Sequence, residues 1–289
     1  MILQPKLWLI IASLTMLVCL GVIVVIKPLW GIDFVGGSLL EIKSENLTAS
    51  TVTQTLTALL NSSVTTQPTD AGTLLIRTKN LETAQHQEIL DELTTLDPAV
   101  EELRFENIGP TIGAELRRKA WIAILLSIVV TVVYLAYEFR HTGGLVASWK
   151  YGLAATIALV HDLLFVTAIF VILGRTLAVP IDALFVTAVL ALAGYSVNDT
   201  IVLFNRLKQE WLSTRSGSLL TIMDRAIKLT MIRSLNTSIT IFLTLVTLLL
   251  FGGPTIRWFI IALTVGTIVG AYSTIFVAPP FLYLLSRRR

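Results

Sequence analysis

The sequence predicts a polytopic α-helical membrane protein that carries one α+β domain outside the membrane. Of its 289 residues, 54% are hydrophobic and only 14% are charged, and the mean hydropathy is +0.78. A soluble domain has about 25% charged residues. Six apolar runs are each long enough to cross the hydrocarbon core, which takes about 20 residues. One long polar insert between the first and second runs predicts the external domain.

The six apolar runs define the predicted membrane spans. We expect the first to be an uncleaved anchor, because it is too long for a signal peptide and no Ala-x-Ala site precedes Lys27. We expect the last to be helical to about Val277, where Pro279 and Pro280 end or kink it. The predicted spans are Leu7–Ile26, Ala120–Tyr137, Tyr151–Leu173, Ile181–Phe204, Ser234–Phe251 and Trp258–Leu285.

Lysine and arginine residues predict the orientation, because loops rich in these residues stay in the cytoplasm. The short loops on one side carry only Arg175 and Arg257, so we expect the opposite side and both termini to be cytoplasmic. The basic residues of that side are Lys6, Arg140, Lys150, Arg206, Lys208, Arg215, Arg225, Lys228, Arg233 and Arg287 to Arg289.

The charge distribution separates three segments and argues against nucleic acid as a partner. Residues 28–118 hold 13 acidic and 6 basic side chains, a net charge of −7. The remaining residues hold 6 acidic and 16 basic side chains, a net charge of +10. We therefore expect a first span over 1–27, an acidic extracytoplasmic domain over 28–118, and five spans with basic cytoplasmic loops over 119–289.

Strands and helices are predicted to alternate in the external domain in the order βαββαβ, the ferredoxin-like arrangement. A turn at Pro68–Gly72 separates the second and third strands, and Asn80 is expected to cap the second helix. The predicted strands are Ser38–Lys43, Ser63–Gln67, Thr73–Lys79 and Val100–Glu106, and the predicted helices are Ala49–Leu60 and Leu81–Leu96.

Two glycine-rich segments border this domain. The first is formed by Gly31, Ile32, Asp33, Phe34, Val35, Gly36 and Gly37, and the second runs from Ile108 to Gly113. A phosphate-binding loop is not expected, because such a loop opens a helix and Gly36-Gly37 leads into a strand. Glycine permits tight chain reversals. A hinge that lets the domain swing is a compatible second interpretation.

Ionisable residues inside spans are costly, and they are therefore candidate functional residues. The third span carries His161 and Asp162 near its middle. The fourth carries Asn198 and Asp199, seven positions before Arg206, which places Asp199 roughly 10 Å below the cytoplasmic interface at ~1.5 Å per residue. Static packing or capping between helices is the alternative role for Asp162.

Arg233 opens the fifth span near the depth of Asp199, and a stripe of threonines follows it. Burial favours a neutral carboxyl group and a nearby arginine favours the ionised form, so Asp199 is a candidate proton carrier. The alternatives are a static Asp199–Arg233 pair, a snorkelling Arg233, and threonines that only satisfy backbone carbonyls. The stripe consists of Thr237, Thr240, Thr244 and Thr247.

Small residues at Gly194, Gly266 and Gly270 predict close helix packing. An enzyme is not expected, because the chain lacks both the GxSG element of intramembrane serine proteases and the GxGD setting of aspartyl ones. The single cysteine, Cys19, allows neither a disulfide framework nor a Cys/His metal site. We predict no cofactor.

One span, a large external domain and five further spans resemble half of the resistance–nodulation–division architecture, and the chain resembles the SecF family of protein-export proteins. The motifs that carry the resemblance are Gly31 to Gly37, Gly109 to Leu116, Ala158 to Asp162, Gly194 to Val202, Arg233 with Asn236-Thr237-Ser238, and Phe251 to Pro254.

The resemblance implies a multi-pass protein of the bacterial cytoplasmic (inner) membrane, surrounded by membrane lipids, that pairs with SecD. It implies association with the SecYEG channel, with SecA acting upstream, and with YajC, and use of the proton gradient to draw unfolded preprotein outward. It also implies a place on the proton route for Asp199 and Arg233. The family has Ser-Arg-Thr around this arginine, whereas this chain has Ile232-Arg233-Ser234.

Two other functions stay open at this stage. The chain could be half of a proton-coupled exporter of small molecules or lipids from the same superfamily. It could also be a scaffold subunit that transports nothing, in which the buried charges serve subunit contacts alone.

Overall fold

The computed structural model describes residues 4–69, 72–140, 146–214 and 217–287. They form two compact units, a membrane unit of Met1–Leu29 with Ile122–Arg289 and a sheet unit of Trp30–Trp121. Part of the predicted turn at Pro68–Gly72, together with Arg215, Arg288 and Arg289 of the basic set, lies outside the described residues.

Long apolar helices make up the membrane unit. Six helices of the described chain are long and apolar enough to cross a membrane, with the last two counted as one, and this confirms the predicted number of spans. The helices are α1 (Pro5–Ile26), α5 (Pro110–Glu138), α6 (Ser148–Thr176), α7 (Ala183–Thr214), α8 (Leu219–Phe251), α9 (Arg257–Phe276) and α10 (Ala278–Arg287).

Several of these helices extend beyond their apolar runs. Helix α5 begins at Pro110 rather than Ala120, and α8 begins at Leu219 rather than Ser234. Ser218 caps α8 by accepting a hydrogen bond from the Thr221 N–H, at 3.2 Å. Hydropathy marks the part of a helix that suits lipid, whereas a cap marks where the helix begins.

The predicted break in the last span is confirmed. Helix α9 ends at Phe276 and α10 starts at Ala278, directly before Pro279 and Pro280. Proline has no N–H to donate, so it is tolerated in the first turn of a helix but not in its interior. The prolines therefore divide the span into two helices.

Helices α6, α7 and α9 supply most of the buried side chains of the membrane unit. Helix α7 packs on α9, and α6 packs on α1, α9 and α10. Close approach of α5 to α6 depends on Gly152, where a Cβ would lie 2.9 Å from the Val132 carbonyl oxygen. The rings of Phe139 and Tyr151 stack on each other, and Phe204 meets both of them edge to face.

A four-stranded antiparallel sheet and two helices form the sheet unit, in the predicted succession of strands and helices. The strand order is β2-β3-β1-β4, and both helices contribute to the core on one side of the sheet. The strands are β1 (Gly37–Lys43), β2 (Thr65–Pro68), β3 (Thr73–Thr78) and β4 (Glu101–Ile108), and the helices are α3 (Ala49–Leu60) and α4 (Thr83–Leu96).

Two details of this unit differ from the sequence prediction. Asn80 does not cap α4; the cap residue is Glu82, whose N–H donates to the Gln85 side chain at 3.0 Å. A capping box therefore replaces the predicted single cap. The segment Ile32–Val35 forms a short helix, α2, that was not predicted, because its apolar residues show no periodicity over so few positions.

The two glycine-rich segments pack against each other within the sheet unit. A Cβ on Gly36 would lie 2.8 Å from the Pro110 Cα, and one on Gly113 would lie 2.8 Å from the Gly36 nitrogen. Gly36 also has a φ of 77°, which side-chain-bearing residues rarely adopt. Phe34 is buried between these glycines, with its ring 5.9 Å from that of Trp30. The glycines thus permit a close backbone contact.

Asp97 holds together the turn that follows α4. Its carboxylate accepts hydrogen bonds from the Ser44 hydroxyl at 2.6 Å, the Ala99 N–H at 3.1 Å and the Asn46 amide at 3.3 Å. These bonds, the one from Ser44 above all, lower the pKa of Asp97 below its ordinary value of 3.8. The ionised form is therefore the one that stabilises the fold.

We predict that Gly37→Ala destabilises the sheet unit and that Gly109→Ala does not. Gly37 has a φ of 139°, and a Cβ there would lie 2.6 Å from the Thr78 carbonyl oxygen, whereas Gly109 has open space around it. Backbone strain of this kind costs about 1–3 kcal/mol. Hydrogen exchange of β1 and β3 in the full chain measures the effect, and equal protection in both variants would contradict the prediction.

We also predict that acid weakens the sheet unit through Asp97. Because the pKa is lowered in the folded state, the stabilisation is present above the unfolded value of 3.8 and is lost as the pH falls through the folded value. Digestion of the sheet unit by pepsin should become faster below about pH 4 in the native chain. Asp97→Asn should flatten this pH dependence, and an unchanged pH profile would refute it.

Candidate functional site

A polar cleft opens between α7, α8 and α9 in the membrane unit. Its empty volume, including the open mouth, is about 340 Å³, and its polar lining gives water several partners. The lining comprises Tyr195, Ser196, Asn198 and Asp199 of α7, Thr237, Ser238 and Ile241 of α8, and Gly266, Thr267, Gly270 and Ala271 of α9. The open mouth of the cleft leaves the Asp199 carboxyl group accessible from outside the helix bundle.

Asp199 is the acidic residue of the cleft lining. Its side chain is half-buried and makes no hydrogen bond or ion pair to another described residue. Arg233 of α8 is close enough to attract it electrostatically. The two groups do not form an ion pair within 4.0 Å, however, and Arg233 is exposed on this chain. The two side chains therefore do not form the static pair that the sequence left open as an alternative.

The predicted threonine stripe has no side-chain network along it. Thr237, Thr240, Thr244 and Thr247 each donate a hydrogen bond to the carbonyl oxygen four residues earlier, at 2.8–3.0 Å. This is the alternative that the sequence left open, in which threonines satisfy the backbone of their own helix. Of the four, Thr237 lines the cleft, and Asn198, also exposed, lies opposite on α7.

Asp162 is buried behind the cleft and joins three helices. Its Oδ2 accepts hydrogen bonds from the Ser196 hydroxyl of α7 and the Ser273 hydroxyl of α9, each at 2.7 Å. Its Oδ1 lies 3.0 Å from Nδ1 of His161 on α6. Both members of this pair are 2% exposed. The carboxylate thus accepts two serine hydrogen bonds, lies against the imidazole of His161, and joins α6, α7 and α9.

The three predicted packing glycines lie in different surroundings. A Cβ on Gly266 would lie 2.2 Å from the Leu192 side chain, so this glycine allows α9 to approach α7. At Gly270 a Cβ would make ordinary contacts with Ser196 and Asp162, at 3.7 and 3.8 Å. Gly194 has nothing within 4 Å of a Cβ, and it is exposed. Within the described chain, Gly194 therefore packs against no other helix.

Sequence reasoning did not identify Ser196 and Ser273 as partners of Asp162. They lie 34 and 111 positions away along the chain, on other helices, and serine is common in membrane helices. The sequence did contain one signal, because Gly266, Gly270 and Ser273 follow one another at steps that place them on one face of α9. The predicted motif residues Gly31, Asp33, Phe34, Gly36 and Gly37 belong to the sheet unit and do not line this cleft.

Known protein-export membrane proteins are similar to this chain over most of its length. A profile described as "Protein export membrane protein SecD/SecF, C-terminal" matches residues 88–288. The "Protein translocase subunit SecF" of Helicobacter pylori strain J99 is 30% identical over 282 residues, covering 96% of this chain and 84% of the relative. That of Anaerolinea thermophila is 33% identical over 258 residues, covering 88% and 83%.

Solved structures with the same fold are longer proteins. The crystal structure of SecDF, a translocon-associated membrane protein from Thermus thermophilus, superposes with a TM-score of 0.86 at 27% identity and covers 98% of this chain. SecDF in a "Super-membrane-facing form" gives a TM-score of 0.68 at 28% identity and covers 99% of this chain. The present chain spans 38% of each of those chains.

We predict that Asp162→Ala destabilises the membrane unit, whereas Asp162→Asn largely preserves it. Alanine removes the acceptor of two buried serine hydroxyls and the partner of His161 Nδ1, and hydrogen bonds in membrane proteins contribute about 0.6 kcal/mol each on average, so the loss is about 1–2 kcal/mol. The asparagine oxygen still accepts from the serines. Thermal unfolding in detergent distinguishes the variants, and equal midpoints for both would show that the hydroxyls find other partners.

Proposed function

The chain belongs to the SecD/SecF family of protein export membrane proteins, and from this we propose that it is the SecF-type subunit of a Sec protein-export machinery, driven by protons through Asp199. The family assignment rests on the profile match, on several translocase relatives and on the SecDF fold. The relatives act as translocase subunits, and the proposal gives this chain no catalytic chemistry of its own.

The single observation that supports the proton role is the setting of Asp199. Its carboxyl group lines an open cleft between α7, α8 and α9, forms no ion pair with a described residue, and lies close enough to Arg233 to be attracted by its charge. A carboxylate fixed in a tight ion pair would resist protonation, whereas a solvated one exchanges protons freely. Asp199 therefore has the access and the freedom that a proton carrier needs.

We propose that proton binding alters the attraction between α7 and α8. A charged Asp199 attracts Arg233, and a protonated one does not, so each proton changes the balance between two packings of these helices. One charge that crosses 100 mV gains roughly 2.3 kcal/mol. That energy is comparable to a free-energy difference of a few kcal/mol between two packings of these helices. Asn198 and Thr237, on opposite walls, are the proposed polar lining of the route.

The proposed partner is a SecD-type chain that supplies the other spans. The SecDF structures contain this fold as 38% of one longer chain, and a Brucella abortus relative is named "Protein translocase subunit SecDF". Helices α1, α5 and α8 expose most of their apolar side chains in the present chain. We propose that a SecD-type partner and membrane lipids cover them, and that SecYEG, SecA, YajC and an unfolded preprotein are the wider machinery.

We further propose the topology predicted by the basic loops, with both termini cytoplasmic in the inner membrane of a bacterium. The sheet unit would then be a ferredoxin-like domain on the outer side, a proposal supported by its β2-β3-β1-β4 strand order. The glycine-rich segments would be where that domain is mounted. The family assignment argues against the two alternatives, a small-molecule or lipid exporter and a scaffold that transports nothing.

We predict that Asp199→Asn abolishes the part of preprotein export that depends on the proton gradient, without unfolding the chain. Asparagine has nearly the same shape but cannot exchange a proton. Asp182→Asn, at the residue just before the same helix, is the matched control, because Asp182 accepts from the Phe185 N–H at 2.8 Å and asparagine caps equally well. Export into membrane vesicles with and without an uncoupler measures the effect.

The same assay tests Arg233. Arg233→Lys should retain more gradient-dependent export than Arg233→Gln, because the long-range attraction requires charge rather than a specific hydrogen bond. Full gradient-dependent export by the Asp199→Asn variant would refute the proton role.

A further inference from the structure

The buried pair of His161 and Asp162 contains an atom that no described residue satisfies. Nε2 of His161 is buried and has no hydrogen-bond partner in the described part of the chain, while Nδ1 lies 3.0 Å from Asp162. Whichever tautomer is present, Nε2 is either a bare lone pair or an unused N–H. Buried polar atoms without partners are rare, and they often mark sites with a chemical role.

The charge of the pair also depends on a proton. Among the described side chains, His161 is the group within 4 Å that could neutralise Asp162, and it does so only when it is protonated on both nitrogens. Ser196 and Ser273 donate hydrogen bonds but carry no charge. An ionised Asp162 beside a neutral His161 leaves a net charge of −1 in the membrane interior, which is costly. One added proton, on either residue, makes the pair neutral.

Other described titratable groups on the surrounding helices do not neutralise the charge of the His161–Asp162 pair. Tyr272 of α9 is nearest in ring contact, with its centroid 6.1 Å from that of His161. Asp199 lies on α7, and neither Tyr272 nor Asp199 forms an ion pair with Asp162 among the described residues. The helices packed against α6 carry further titratable side chains, among them Lys6 and Cys19 of α1, Tyr195, Arg206, Lys208 and Glu210 of α7, Arg257 of α9 and Tyr283 of α10.

Ser196 connects the pair to the cleft. Its hydroxyl donates to Oδ2 of Asp162 at 2.7 Å, and Ser196 also lines the cleft that contains Asp199. Gly270 lines the same wall and has no side chain to cover Asp162. Ser273 donates to the same Oδ2 at the same 2.7 Å, but it does not line the cleft. Of the two serines, Ser196 therefore both bonds to Asp162 and lines the cleft that contains Asp199.

We propose that His161 and Asp162 form a second proton-holding site, which exchanges one proton with Asp199 through the Ser196 hydroxyl. This inference rests on the proton role proposed for Asp199. The carboxylic acid of Asp199 gives its proton to a water molecule in the cleft, and that water passes a proton to Oγ of Ser196. The original hydroxyl proton of Ser196 moves to Oδ2 of Asp162. Asp199 ends as a carboxylate, Asp162 ends as an acid, and the reverse steps restore both.

The unpaired nitrogen gives the pair a second place for the same proton. An imidazole that holds a proton on Nε2 still donates Nδ1–H to Oδ1 of Asp162. The proton can therefore reside on either residue of the pair without loss of the hydrogen bond between them. The pair remains neutral in both arrangements.

Two serine substitutions separate a proton path from simple support of Asp162. Ser196→Ala and Ser273→Ala each remove one hydrogen bond to the same oxygen, so a purely structural role would give both the same effect. The full chain with its SecD-type partner is placed in proteoliposomes, and proton movement after a pH jump is followed with a pH-sensitive dye. We expect Ser196→Ala to slow it by about tenfold or more, and Ser273→Ala by much less. Equal slowing in the two variants, or none in either, would overturn the proposal.

Infrared difference spectra of the same preparation distinguish this inference from the proposed function itself. The native protein should show two carboxyl bands that change with pH, one absent in Asp199→Asn and the other absent in Asp162→Asn. If Asp199→Asn removes no band, the proton role of Asp199 fails. If Asp199→Asn removes a band and Asp162→Asn removes none, the proton role stands and the second site is refuted.

Discussion

The cost of placing a carboxylate among hydrocarbon chains governs the arrangement of this membrane unit. The chain meets that cost in two different ways. Asp162 is enclosed, with serine hydroxyls of two other helices donating to it and His161 of its own helix beside it. Asp199 is instead left beside a solvated cleft, with an arginine acting on it from a distance. The enclosed acid joins three helices through its hydrogen bonds, and the open acid is directly accessible from the cleft.

Much of the fold could be predicted from the sequence because local patterns determine it. Apolar runs gave six spans, and the alternation of short elements gave the order of the sheet unit, with α3 predicted at its observed bounds. The starts of α5 and α8 were missed because both helices continue through polar residues. The capping box at Glu82 was missed because Asn80, two residues earlier, belongs to a residue type with a stronger preference for the N-cap position.

The candidate site was predicted only in part, for a geometric reason. Sequence gives the depth of a residue along its helix but not the direction in which the helix turns it. Asp199 and Arg233 were expected at similar depth, yet they form no ion pair, whereas Asp162 meets serines from distant parts of the chain. The glycines also differ in the direction that they face, since Gly266 lies against Leu192 and Gly194 faces open space.

The two hydrogen bonds that converge on one oxygen of Asp162 restrict how this bundle can rearrange. A slide of either α7 or α9 past α6 by a single turn would carry its serine away from Asp162. On α8, Thr237 donates instead to the backbone of its own helix. The hydrogen bonds at Asp162 therefore hold α6, α7 and α9 in one register, a constraint that α8 does not share through Thr237.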